Sequence, residues 1–227
     1  MRQILRVRRR LRRLDLGIVT SVFALGVGGA LAASLGVSST TLTTSTGAAS
    51  ISATVCALSA ADADSYVNEA SAGSNFGTAT NLDVRSSSAG DRRTFVQFSL
   101  TGCSIPATAL VTAASLKLFM FAAPTATRTY DAHRVSASWT ETGITWTNQP
   151  AVAATATASV ATGTTSNVTL TWVVTSDVQA FLGGTANNGW RIKDLTENSA
   201  TARTGQFRSA EFGTASQRPI LEITYYP

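Results

Sequence analysis

The chain holds a single histidine, His133, among 227 residues, and only two cysteines, Cys56 and Cys103. One histidine excludes a His-paired zinc site and a histidine relay within one chain. Two thiols cannot complete a tetrahedral zinc site. No Gly-x-Ser-x-Gly elbow is present, and no glycine-rich loop of the phosphate-cradling kind. No repeat recurs at propeller or solenoid spacing. Charge is sparse, at 14% of residues. A glycosidase would need two carboxylates across a cleft, and Asp62, Asp64, Glu141 and Glu211 are the candidates. Nothing in their spacing makes any two face each other. The sequence therefore points away from an enzyme.

The net charge of +5 suggests a basic protein, but its distribution does not. Arg2, Arg6, Arg8, Arg9, Arg10, Arg12 and Arg13 are seven of the 18 basic residues. Of the 13 acidic residues, only Asp15 lies in the same first 35, which leaves 11 basic against 12 acidic beyond them. Nucleic-acid binding through overall charge is thereby excluded. The arginine run fits export instead. It precedes an uncharged stretch, Leu16 to Leu35, that contains the small-residue triplet Ala30-Leu31-Ala32. Residues 1–35 read as a secretory signal peptide cut after Ala32, or as an uncleaved hydrophobic anchor helix held by its arginines on the cytoplasmic side. Either reading puts the rest of the chain outside the cytoplasm, secreted or on the cell surface. Any contact with a membrane would run through this segment alone. Outside the cell, a Cys56–Cys103 disulfide is the expected state of the two thiols.

Residues 36–59 are dominated by Ser, Thr, Ala and Gly and carry no charge. They read as a flexible linker or as edge strands. Residues 60–227 read as the folded domain. Short β segments recur there, at Asp64–Val67, Leu82–Arg85, Arg93–Leu100, Ser115–Phe121, Thr129–Val135, Val168–Val174, Trp190–Leu195, Thr204–Phe207 and Pro219–Tyr226. Leu116, Leu118 and Met120 alternate with Lys117, as in a strand buried on one face. One short helix is expected, capped at Ser176-Asp177, running Val178–Leu182 and stopped by Gly183-Gly184. The whole is an all-β, antiparallel sandwich.

The segment Trp139 to Pro150 holds two of the four tryptophans. Its β-branched residues and Gly143 oppose a helix. It reads as a strand end, a turn at Glu141–Gly143 and a second extended piece stopped by Pro150.

Arg93, Gln97, Lys117, Arg134, Arg191 and Lys193 fall on the polar side of strands whose other side looks buried. Guanidinium and ammonium groups on a sheet face suit carboxylated sugars, and Tyr130 offers a ring for stacking on one. The plainer alternative is that they solvate an exposed sheet, or pair with Asp91, Asp131 and Asp194. Asp62-Ala63-Asp64 brings two carboxylates to a calcium ion, short of the roughly six to eight oxygens it takes. No cofactor is therefore expected, and calcium lacks a full ligand set.

A family resemblance rests on collinear pieces. They begin with Ala63-Asp64-Ser65-Tyr66-Val67, Asn75-Phe76-Gly77 and Arg92-Arg93-Thr94-Phe95-Val96-Gln97-Phe98-Ser99-Leu100. Trp139-x-Glu141 and Thr145-Trp146-x-Asn148-x-Pro150 follow. Gly189-Trp190, Phe207-Arg208-Ser209-Ala210-Glu211 and Pro219-x-Leu221-x-Ile223-Thr224-Tyr225 complete the order. Over about residues 60 to 226 the chain resembles the extracellular DNRLRE domains, which are classed with carbohydrate-binding modules. The resemblance implies a jelly-roll-like sandwich and, as in some relatives, binding of an acidic polysaccharide such as alginate. Ser99 and Ala210 depart from the family's pattern. The expected partner is a polysaccharide or cell-wall glycan. The alternative is a structural surface, adhesive or fibre-forming subunit, with the uncharged segment pairing on a neighbour's sheet edge in self-assembly.

Overall fold

The computed structural model describes residues 42–44, 47–49 and 52–227; the expected signal or anchor helix lies outside them. In the N-terminal unit, β1 (Leu42–Thr44) and β2 (Gly47–Ala49) form a two-stranded antiparallel ladder. The second unit spans Ala53–Pro227.

This unit is antiparallel β with one helix. All nine expected strands are present, as β4 (Ala63–Asn68), β5 (Asn81–Ser86), β6 (Arg92–Gln97), β7 (Leu110–Ala122), β8 (Thr129–Arg134), β10 (Val168–Val173), β11 (Trp190–Asp194), β12 (Arg203–Arg208) and β13 (Ile220–Tyr226). Two more complete the sheet. β3 (Thr54–Ser59) pairs with β13 at one end, and β9 (Ala158–Ala161) pairs with β8 at the other. The helix α1 covers Thr175–Leu182 and begins three residues earlier than the expected Val178, with Val174 rather than Ser176-Asp177 at its cap. Asp177 sits within its first turn, where its carboxylate accepts from Thr157 Oγ1 (2.6 Å) and Trp190 Nε1 (2.8 Å).

The path runs β3-β13-β7-β12-β5-β6-β11-β8-β9, with β10 on the other edge of β7 and β4 on that of β6. Leu116 thus stands between Leu221 and Trp172. A flat sheet has no inside. Here Leu82, Leu116, Met120, Trp172, Ile192 and Phe207 come from five strands, yet all are fully buried in one apolar cluster. The sheet therefore curls on itself, and both end strands, β3 and β9, pack against that core, consistent with a β-sandwich. The Cys56–Cys103 disulfide forms and ties the end strand β3 to the turn after β6.

A second, smaller core lies on the other face of β6. Phe95 packs there with Val67, Val135 and Ile144, and half-buried Trp139 and Trp146 close over them. Both faces of β6 are thereby covered. In the Trp139–Pro150 segment the turn expected at Glu141–Gly143 is present, but a second turn at Trp146–Asn148 replaces the extended piece expected after it. Gly143 and Ile144 donate back to the Thr140 carbonyl. The Asn148 side chain accepts from Thr145 N (2.7 Å) and donates to Gly143 O (2.9 Å). One amide side chain thus does the pairing a strand partner would have done.

Candidate functional site

β5 and β12 pair so that Leu82, Val84 and Phe207 enter the core. The pleat then sends Asn81, Asp83 and Arg85 to the opposite face, beside Thr204, Gln206 and Arg208. Asp83 organises this face. It pairs with Arg92 and accepts from Asn81 Nδ2 (2.8 Å) and Gln206 Nε2 (3.1 Å). Arg92 in turn lies 5.8 Å from the centroid of the Tyr66 ring, and Tyr66 stacks on Phe76 at 4.3 Å and 18°. Burial, then the Asp83 charge, pushes the Tyr66 phenol upward against the pull of Arg92, so it stays a neutral hydroxyl.

Arg208 is held between two rings, 3.8 Å from the centroids of both Phe121 and Phe212. Stacking occupies the flat faces of a guanidinium and leaves its in-plane donors for an anion. Among the described residues, neither Arg208 nor Arg85 has a carboxylate partner, and the buried Nε groups of Arg85, Arg92 and Arg208 find no acceptor. The result is a partly exposed strip of arginine and aromatic rings across β4, β5, β6, β12 and the end of β7.

A separate cluster joins three distant segments. Asp64 on β4, Glu141 in the tryptophan turns and Glu211 after β12 each place a carboxylate oxygen within 4.8 Å of the others. Glu141 accepts from Asp64 N (2.9 Å), covering an N–H on the free edge of β4. Burial above all, then the charges of Glu211 and Glu141, pushes the Asp64 carboxyl up to about 8, against the Ala210 N–H that it accepts.

A family model for carbohydrate-binding module family 96 matches residues 56–225, from within β3 to within β13. The chain belongs to that family. No curated protein matches it. A carbohydrate-binding module is a non-catalytic binding domain. Among the described residues, no helix is long and apolar enough to cross a membrane.

The residues expected from the sequence to line a binding face in this module separate into several places. Arg93, Arg191 and Lys193 come together on the outer side of β6 and β11. There Glu197 takes two hydrogen bonds from Arg93 (2.7 and 2.8 Å) and stands 3.4 Å from Lys193. Arg93 also donates to Gln149 Oε1 and lies 4.4 Å from the Trp146 centroid. Among the described residues, Arg191 carries no ion pair. Burial first, then the Arg93 charge, lowers it to about 10. Lys117 pairs with Glu222 at 3.1 Å, Arg134 lies 3.6 Å from Asp177, and Gln97 donates to Asn187 O. Tyr130 belongs to none of these. It is fully buried, with its ring edge on Phe207 and its hydroxyl donating to Val84 O, so it offers no surface for a sugar ring. His133 is buried on β8, with Nδ1 2.9 Å from Ala153 O.

Sequence reading missed Arg85, Arg92, Arg208, Tyr66, Phe76, Phe121 and Phe212. Tyr66, Phe76, Arg92 and Arg208 stood within the quoted motifs. The signal that marks them is the strand pairing of β5 with β12, which no local pattern reveals.

Proposed function

We propose that this family 96 module is exported and binds an acidic polysaccharide, without catalysis, on the arginine–aromatic strip of β5 and β12. The observation that carries the reading is Arg208 between Phe121 and Phe212, next to an Arg85 that has no carboxylate partner. Fixed guanidinium groups suit the bidentate hydrogen bonding of a uronate carboxylate, and the Tyr66–Phe76 pair supplies an apolar face for a sugar ring. The Arg93–Lys193 cluster is the weaker site because Glu197 already neutralises much of it. A jelly-roll-like sandwich of the alginate-binding type, as the sequence resemblance implies, fits such an open strip better than a pocket.

Affinity electrophoresis of the full chain in gels containing alginate, polygalacturonate or neutral glucan tests this reading. Retardation by an acidic polymer, weakened at least tenfold in Arg208→Ala, is the expected result. Equal mobility in all gels would overturn it, and so would retardation that Arg208→Ala leaves unchanged.

A further inference from the structure

The geometry points to a calcium site formed by Asp64, Glu141 and Glu211. Three carboxylates bring a formal charge of −3 to one place and supply up to six oxygens. Asp64 is 1% exposed. Its Oδ2 accepts from Ala210 N at 2.8 Å, while Oδ1 is buried and accepts nothing. A buried carboxylate oxygen without a donor costs free energy that a bound cation would recover.

The ligand set selects the ion. All donors are oxygens, because His133 lies on β8 and both cysteines are in the disulfide. Softer metals that favour imidazole or thiolate are therefore poorly served. Two oxygens on opposite sides of a calcium ion lie about 4.8 Å apart, against about 4.2 Å for magnesium, which also demands near-octahedral order. The carboxylate oxygens lie within 4.8 Å of one another, a reach that covers either ion, so the selection rests on magnesium's demand for octahedral order. The positions are also fixed in advance. Glu141 is held by Asp64 N, and Asn75 Nδ2 donates to the Glu141 carbonyl at 2.7 Å. A Cβ on Gly77 would come within 2.3 Å of that carbonyl, so Gly77 lets the loop close on the turn that carries Glu141.

A bound ion would fasten β4, the tryptophan turns and the segment after β12 to one another. Its role is structural, and it does not depend on whether the arginine strip binds glycan. The test uses the full chain, stripped with chelator, in thermal melts and titration calorimetry with calcium chloride and, separately, magnesium chloride. Calcium is expected to bind one ion per chain and to raise the melting midpoint by about 5–10 °C at a concentration about 100-fold above its dissociation constant. Magnesium at the same concentration should give less than half that shift. Glu211 is exposed, so Glu211→Gln should fold. Without calcium its midpoint should equal or exceed that of the parent, because a like charge beside Asp64 is gone; its calcium shift should vanish. No heat and no shift up to millimolar calcium would overturn the assignment. So would an equal response to magnesium, or a calcium shift that survives in Glu211→Gln.

Discussion

Gly189 shows how much a single residue decides in this sheet. Its φ is +72°, and a Cβ there would sit 2.0 Å from the Val96 carbonyl oxygen. Backbone, not a flexible side chain, is what it would strike. Gly189→Ala is expected to cost about 3 kcal/mol or more, read as a lowered denaturant midpoint. Glu197 decides by charge. Burial opposes its ionised form, but the hydrogen bonds and charge of Arg93, helped by Lys193, outweigh it and hold the carboxyl below its ordinary 4.5. A depressed folded-state value stabilises above the unfolded value and is lost as pH falls through the folded one. The parent should therefore be more stable than Glu197→Gln at neutral pH, by about 1 kcal/mol or less because the pair is partly solvated. The gap should close below pH 4.5. Urea midpoints of both proteins from pH 7 to pH 3 measure this, and a gap that persists at pH 3 would contradict it.

At the scale of elements, the tryptophan turns serve as a lid. Trp139 lies 5.8 Å from Phe95, ring to ring, and donates from Nε1 to Asn188 O at 2.9 Å. The same turns carry Glu141 to the free edge of β4. Removing Trp139 should uncover Phe95 and loosen that edge together. Trp139→Ala is expected to cost about 3 kcal/mol in the denaturant midpoint. It should also raise hydrogen exchange at β4 amides, Asp64 among them, more than at β13. Uniform exchange across both strands would mean that the turns do not guard the edge. The strands at Arg93–Leu100 and Ser115–Phe121 were the most legible because they alternate over enough residues to show their period. β9, Ala158–Ala161, was not, since Ala and Ser carry little side-chain signal. The first tryptophan turn, at Glu141–Gly143, was legible, but the second was misread as extended because Thr and Ile prefer strands locally. The Asn148 amide overrode that preference.

Across the whole molecule, charge is arranged rather than abundant. Beyond residue 35 the basic and acidic residues nearly cancel, yet the β5–β12 face holds Arg85, Arg92 and Arg208 around one carboxylate, Asp83. If glycan binding rests on that local excess, its affinity should fall with sodium chloride. About a tenfold loss is expected between 50 mM and 500 mM salt, because exposed ion pairs weaken as screening shortens. Isothermal titration at the two salt concentrations checks it; a salt-independent affinity would place recognition on the rings alone. The sequence by itself determined the β class, the core-facing side of β7 and the Cys56–Cys103 pairing. These are matters of composition and of period two, and they are local. Only the tertiary structure decided which polar residues share a face. Arg93 and Arg208 look alike along the chain, yet one is neutralised by Glu197, 104 residues away, and the other is clamped between two rings. Asp64, Glu141 and Glu211 meet for the same reason: a curled sheet brings together residues that no spacing along the chain connects.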